Sequence, residues 1–288
     1  MTRPRSLAGR VVVITGAGRG IGAATARAVG RAGARVALAD LSGELAAAVA
    51  AEVGGGSFGR SVDVTDHAAY AAFLDDVERS LGPIDVLINN AGIMPVTEFV
   101  DESPESISRQ LEINLHAVLF GSQQAIRRMR PRGRGHLVNV ASAAGKGGFP
   151  GIATYCATKF GVVGLTEALS RELHGTGIDV SCVMPAVVRT ELTDGVQDHW
   201  MMKTSTPEDV ADAIVRALHR PRLDVYVPTS LNVMNRSMAL WPRRAQAWFL
   251  RVTRADRILA DAAHSPARAA YEQRALAKRS DRSAKIGA

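Results

Sequence analysis

Between Arg10 and about Pro228, short apolar runs alternate with longer segments whose apolar residues recur every three or four positions. The short runs fall at 11–15, 35–39, 56–62, 84–89, 135–141, 178–184 and 223–227 and predict strands. The periodic segments, at 21–30, 44–53, 68–81 and 207–218 among others, predict alanine-rich helices. The runs are continuously apolar rather than alternating, the pattern of strands covered on both faces. Strand–helix–strand repetition with right-handed crossovers predicts an α/β fold, a doubly wound parallel sheet in one domain. No linker interrupts it, so residues 8–228 are expected to fold together.

Beyond Pro228 the pattern changes. Leu231, Val233, Met234, Met238, Leu240, Trp241, Trp248, Phe249, Leu250 and Val252 are interleaved with Arg236, Arg243, Arg244, Arg251 and Arg254. This spacing predicts one or two basic amphipathic helices broken at Pro242, so 229–288 reads as a helical extension. The extension holds twelve Lys/Arg against four Asp/Glu, whereas the remainder is nearly balanced with 23 against 24. The basic excess therefore belongs to the tail, which argues against nucleic-acid binding by the body. Two fates stay open for the tail: packing over the enzyme or a neighbouring subunit, or peripheral contact with an anionic membrane surface.

Cys156 and Cys182 form neither a metal-ligand spacing nor a disulfide framework, and the histidines are scattered. No metal is expected, and a cytoplasmic setting is the default. The run at 11–14 is too short for a signal-peptide core, and no stretch approaches the roughly 20 apolar residues of a spanning helix.

Chemistry concentrates at a few positions. The turn Thr15-Gly16-Ala17-Gly18-Arg19-Gly20-Ile21-Gly22 joins the first strand to the first helix, where free N–H groups and the helix dipole attract phosphate. Asp40 ends the second strand, where a carboxylate accepts hydrogen bonds from ribose hydroxyls and repels a 2′-phosphate. That favours NAD over NADP, with Arg19 and Arg60 as guanidinium groups able to argue the other way. Tyr155 and Lys159 lie one turn apart on a helix predicted over 151–173. An ammonium group there is expected to bring a phenol toward the working pH range for proton transfer.

Together these residues carry a resemblance. Thr15-Gly-xxx-Gly20-x-Gly22, Asp63, Asn89-Asn90-Ala91-Gly92, Asn114, Ser142, Tyr155-xxx-Lys159 and Pro185 through Thr190 occur in the order and spacing of the short-chain dehydrogenase/reductase family. The resemblance covers residues 8 to about 228 and implies a Rossmann-type fold. It implies Tyr155 as proton donor or acceptor, Ser142 as hydrogen-bond partner of the reacting oxygen, and Lys159 as tuner of the tyrosine and ligand of the nicotinamide ribose. Asn114, in a helix around 103–130, would bind a water linking Lys159 to solvent. Gly16, Arg19, Gly20, Ile21, Gly22, Asp40, Asp63, Val64, Asn90, Ala91, Gly92, Pro185, Val188 and Thr190 would hold the dinucleotide, with Asp63 near the adenine and Thr190 at the carboxamide. A homodimer or homotetramer, joined through the helices of Asn114 and Tyr155, is also implied. Pro185-Ala186 departs from the family's usual Pro-Gly, which predicts a differently shaped loop beside the nicotinamide.

Residues 191–206 read as a substrate lid carrying Val196, Trp200, Met201 and Met202, facing Met94, Phe149 and Val187. His199 reads as a surface residue. So apolar a wall suits a lipophilic secondary alcohol or ketone, handled with NAD. Two alternatives are an NADPH-dependent 3-oxoacyl-thioester reductase and a non-catalytic dinucleotide sensor.

Overall fold

In a computed structural model, residues 4–193 and 204–239 are described, with Trp241, Pro242, Arg244, Ala245, Val252, Arg268, Tyr271 and Glu272 beyond them. Strands β1 (Val11–Thr15), β2 (Arg35–Asp40), β3 (Phe58–Ser61), β4 (Val86–Asn89), β5 (Gly135–Val140), β6 (Ile178–Pro185) and β7 (Asp224–Val227) form one sheet. Every pairing is parallel, in the order β3-β2-β1-β4-β5-β6-β7. The order reverses between β1 and β4, so the connections leaving their carboxyl ends diverge and open a crevice.

Helices α1 (Gly20–Arg31), α2 (Gly43–Val53) and α7 (Pro207–His219) cover one face of the sheet. Helices α3 (His67–Leu81), α5 (Ala117–Met129) and α6 (Ala153–Glu172) cover the other. Alternate strand residues supply the two cores. Val12 and Ile14 point into the first, while Val11 and Val13 point into the second. Burying both faces is why the central strands β1 and β4 carry no polar alternation.

β4 begins at Val86, two residues after the predicted start, and two further elements differ for a physical reason. β3 begins at Phe58 because Gly54, Gly55 and Gly56 all adopt positive φ, at 68°, 62° and 79°, and make the turn instead of the strand. The helix expected over 103–130 is divided into α4 (Pro104–Leu111), a π-helical turn at Glu112–His116, and α5. The π-turn holds Asn114, whose amide oxygen accepts the Ile93 N–H at 2.8 Å and whose amide nitrogen donates to the Ile93 carbonyl at 2.8 Å. Tertiary pairing thus coincides with the local widening of the helix.

In the extension, α8 (Ser230–Ala239) is helical, with Leu231 buried and Val233 exposed. Leu240, Trp248, Phe249, Leu250, Arg243, Arg251 and Arg254 lie outside the described residues. No helix among the described residues is long and apolar enough to cross a membrane.

Candidate active site

The β1–α1 turn depends on glycine at two points. Gly16 has φ 62°, and a Cβ on it would lie 2.8 Å from Ala91 Cα. A Cβ on Gly22 would lie 2.2 Å from the Gly16 carbonyl oxygen, so the helix packs against its own turn only without a side chain there. Helix α1 opens with no side-chain cap and no acid in its first turn. By contrast, Ser42, Asp66, Ser103 and Thr206 cap α2, α3, α4 and α7. The bare N-terminus borders a cleft of about 630 Å³, where Gly16, Arg19, Gly20 and Ile21 line the wall.

Asp40 stands at the same wall. One carboxylate oxygen accepts the Gly18 N–H at 2.8 Å and the other accepts the Ser42 N–H at 3.0 Å. The cap of α2 is Ser42, which leaves Asp40 to tie the glycine turn to the end of β2. Arg19 pairs with Glu191 at 2.6 Å, and Arg60 sits over the Phe58 ring, 3.6 Å from Asp76. Both guanidinium groups therefore already have partners. Asp63 and Val64 line the cleft next to Arg109. Burial raises the Asp63 pKa, but hydrogen bonds from Thr65 and the charge of Arg109 outweigh it and hold the carboxyl below its ordinary value.

The Asn89–Gly92 segment divides its work. Asn89 is buried and bonds Tyr70, Ser122 and Asn139 inside the fold. Asn90 donates its amide protons to the Thr15 and Gly16 carbonyls at 2.9 and 3.0 Å, joining β4 to the glycine turn. Ala91 and Gly92 line the cleft, and a Cβ on Gly92 would stand 3.2 Å from Asn114 Oδ1.

Ser142, Tyr155 and Lys159 meet in this cleft from β5 and α6. Ser142 caps the short turn after β5 by accepting the Ala144 N–H at 3.1 Å. Lys159 is 4% exposed; its ammonium donates to the Val140 carbonyl at 3.0 Å and stands 5.5 Å from the Tyr155 ring centroid. Burial lowers the Lys159 pKa to about 8. For Tyr155 the sequence expectation of a lowered pKa is reversed. Burial dominates and raises it; a hydrogen bond with Ser142 pulls it down, and the neighbouring Tyr271 and Cys156 add to the rise. The lysine faces the ring instead of the hydroxyl, so it does little to offset the lost hydration.

Asn114 and Gly22 are not on the cleft wall but brace it from behind. Both Asn114 amide protons are engaged, with Ile93 and Thr158, while its oxygen keeps one lone pair beyond the Ile93 bond. Pro185, Val188 and Thr190 line the opposite wall, and the Ala186 N–H donates to Val227 at 2.8 Å. Met94, Phe149 and Val187 also line the cleft, whereas Val196, His199, Trp200, Met201 and Met202 lie outside the described residues.

A family model described as short chain dehydrogenase matches residues 10–200. The chain is a short-chain dehydrogenase.

This short-chain dehydrogenase is 41% identical over 191 residues to a sorbitol dehydrogenase of Cereibacter sphaeroides, spanning 66% of this chain and 75% of that enzyme. It is 34% identical over 213 residues to a 3-alpha-(or 20-beta)-hydroxysteroid dehydrogenase of Mycobacterium bovis, spanning 73% and 82%. A Burkholderia phymatum short-chain dehydrogenase/reductase solved with NAD superposes with TM-score 0.74 at 26% identity, covering 81% of this chain and 93% of that one. This short-chain dehydrogenase is accordingly an oxidoreductase acting on CH–OH groups with a nicotinamide dinucleotide.

The cleft of this short-chain dehydrogenase fits such a dinucleotide. The uncapped α1 terminus suits a pyrophosphate, and the carboxylate of Asp40 suits neutral hydroxyl donors. Some contributors carried no recognisable sequence signal. Arg109 is one, reaching Asp63 from α4, whereas Thr15, already part of the glycine-turn motif, accepts the N–H groups of Asn90 and Ala91 at 3.0 and 3.1 Å. Tyr271 lines the cleft from far along the extension, where no motif marks it.

Proposed function

We propose that the chain oxidises a lipophilic secondary alcohol, or reduces the matching ketone, with NAD(H). The observation that carries this reading is the meeting of Ser142, Tyr155 and Lys159 in one cleft with a bare helix N-terminus and Asp40. The amides of Gly16–Ile21 would hold the pyrophosphate, and Asp40 would accept from the adenosine ribose hydroxyls while repelling a 2′-phosphate. Asp63 and Val64 would face the adenine. Asn90, Ala91 and Gly92 would border the ribose side, and Pro185, Val188 and Thr190 the carboxamide. NAD, when bound, supplies the hydride acceptor for the carbinol carbon.

The chain's own residues handle the proton. Tyr155, protonated because burial raises its pKa, gives its proton to the carbonyl oxygen in reduction. In oxidation it would first release that proton to solvent through the Lys159 relay, and the phenolate would then take the substrate's. Ser142 donates a hydrogen bond to the same oxygen and stabilises charge developing there. Lys159 holds the nicotinamide ribose and exchanges protons with solvent through a water on the remaining Asn114 lone pair. The apolar wall of Met94, Phe149 and Val187 favours a lipophilic substrate. The relatives' names, from a polyol to a steroid, leave the choice to this wall.

The pairing of Arg19 with Glu191 and Arg60 with Asp76 favours NAD over the NADPH-dependent thioester-reductase alternative. A homodimer or homotetramer is supported by exposed Leu119, which lines a groove with Phe120, Leu165 and Leu169 on α5 and α6, and by exposed Phe160 on α6. The cytoplasm remains the expected setting. Peripheral membrane contact rests on the composition of 231–254 alone, and co-sedimentation with anionic vesicles at low and high salt tests it. The function itself is tested by assaying a panel of secondary alcohols and ketones with NAD(H) and NADP(H), following the absorbance of the reduced nicotinamide. Lipophilic substrates and NAD should dominate. Absence of turnover together with tight NAD binding would move the protein to the sensor class.

A further inference from the structure

The extension returns to the cleft at its substrate end. Arg268 is wholly buried, although an arginine without partners there would carry a severe desolvation cost. Its guanidinium donates to the Leu192 carbonyl at 2.7 Å, to the Met94 carbonyl, and to the Glu272 carboxylate at 3.1 Å. The same Glu272 oxygen accepts the Val96 N–H at 2.9 Å. The Tyr271 oxygen accepts the Met94 N–H at 3.1 Å, and the Arg268 guanidinium lies 5.2 Å from its ring centroid. One short stretch thus fastens the loop after β4 to the loop after β6.

Tyr271 also lines the cleft, together with Tyr155. Among the described residues nothing accepts the Tyr271 hydroxyl proton, because the Met94 contact uses only the oxygen. Burial pushes the Tyr271 pKa up to about 12, so the hydroxyl keeps its proton at any working pH. Met94, Phe149, Ile152 and Leu192 line the same cleft and belong to one apolar cluster. A lone donor on an apolar wall discriminates strongly between ligands that carry an acceptor at that point and ligands that do not.

We propose that the Arg268–Glu272 clamp closes the substrate end of the cleft within the same chain, and that Tyr271 is a positioning residue. It donates a hydrogen bond to a second oxygen on an otherwise apolar substrate, remote from the reacting carbinol. The substrate class narrows to lipophilic secondary alcohols or ketones that carry an ether or carbonyl oxygen away from the reacting carbon. This rests on the dehydrogenase reading above and specifies the substrate side of that site.

The test uses the full-length protein and two variants, Tyr271→Phe and Arg268→Met. Matched secondary alcohols, such as 4-phenyl-2-butanol and its 4-methoxyphenyl analogue, are compared by kcat/KM with NAD. The wild type should prefer the oxygen-bearing member about tenfold or more, and Tyr271→Phe should bring the ratio close to one. A change in packing alone would lower both members together and leave the ratio in place. In parallel, hydrogen exchange at the Met94 and Val96 amides should be slow in the wild type and at least about tenfold faster in Arg268→Met, with the β1–α1 turn unchanged. A ratio unaffected by Tyr271→Phe overturns the positioning role. Equal exchange in wild type and Arg268→Met overturns the clamp. A wild type that binds NAD but turns over no alcohol defeats the dehydrogenase reading and with it the positioning role, while the exchange arm still decides the clamp.

Discussion

At the scale of single residues, Tyr155 and Asp40 carry the sharpest expectations. Tyr155→Phe should lower turnover at least about 100-fold, since a positioned acid–base group contributes about 10²–10⁴. NAD affinity by fluorescence titration should hardly change, because the ring and Lys159 remain. Retention of more than a tenth of wild-type turnover would remove Tyr155 from the proton path. Asp40→Ala should shift the NADP/NAD preference toward NADP by about tenfold, about 1.4 kcal/mol. It should also weaken NAD binding, since the carboxylate bonds Gly18 and Ser42 as well. Unequal ratios of kcat/KM for the two cofactors, before and after substitution, check this. His136 gives a pH expectation unrelated to catalysis. Ser181 donates its only proton to the Arg222 carbonyl at 2.7 Å, so the His136 Nε2, 2.8 Å from that hydroxyl, must carry hydrogen. Burial lowers the His136 pKa to about 4, below its unfolded value near 6.5. Between these values the unfolded chain binds more protons, so stability is full above about 6.5 and is lost as pH falls toward 4. The loss should be on the order of 3 kcal/mol, and His136→Phe should flatten that limb of urea-denaturation midpoints plotted against pH.

At the scale of elements, the sheet was legible because its strands announce themselves by continuous apolar runs, such as Val11–Thr15. The glycine turn was legible because its steric demands are local. Gly22→Ala should displace α1, since a methyl would meet a backbone carbonyl and the Asn90 amide. The expected outcome is a stability loss of about 1–3 kcal/mol together with weakened NAD binding, measured by thermal denaturation with and without NAD. An alanine variant with wild-type Tm and affinity would show that the turn can relax. The π-turn at Asn114 was not legible: its partner Ile93 is distant in sequence, and no local spacing records the pairing. The Tyr155 pKa is not legible for a similar reason. Sequence shows that lysine is one turn away, but neither the burial of the phenol nor the position of the ammonium over the ring.

At the scale of the whole molecule, the exposed Leu119 and Phe160 should be covered by a second copy of the chain. Replacing both with arginine should produce monomers in sedimentation velocity without unfolding the sheet. An unchanged oligomer would move the interface elsewhere. The end of the cleft lined by Gly16, Asp40 and Asn90 is legible in the sequence, because these residues belong to segments with recognisable turn and strand-end chemistry. The substrate end is not, since Tyr271 reaches Met94 across a separation of 177 residues. That separation gives the order of biosynthesis a meaning. Residues 8–228 can leave the ribosome and fold while the clamp is still being made, because domains fold as units as their chain emerges. On the proposed reading, the dinucleotide cleft and its apolar wall would form before the Tyr271 contact does. Recognition of a second substrate oxygen, if Tyr271 has the proposed role, would then be a late product of synthesis laid over an already formed cleft.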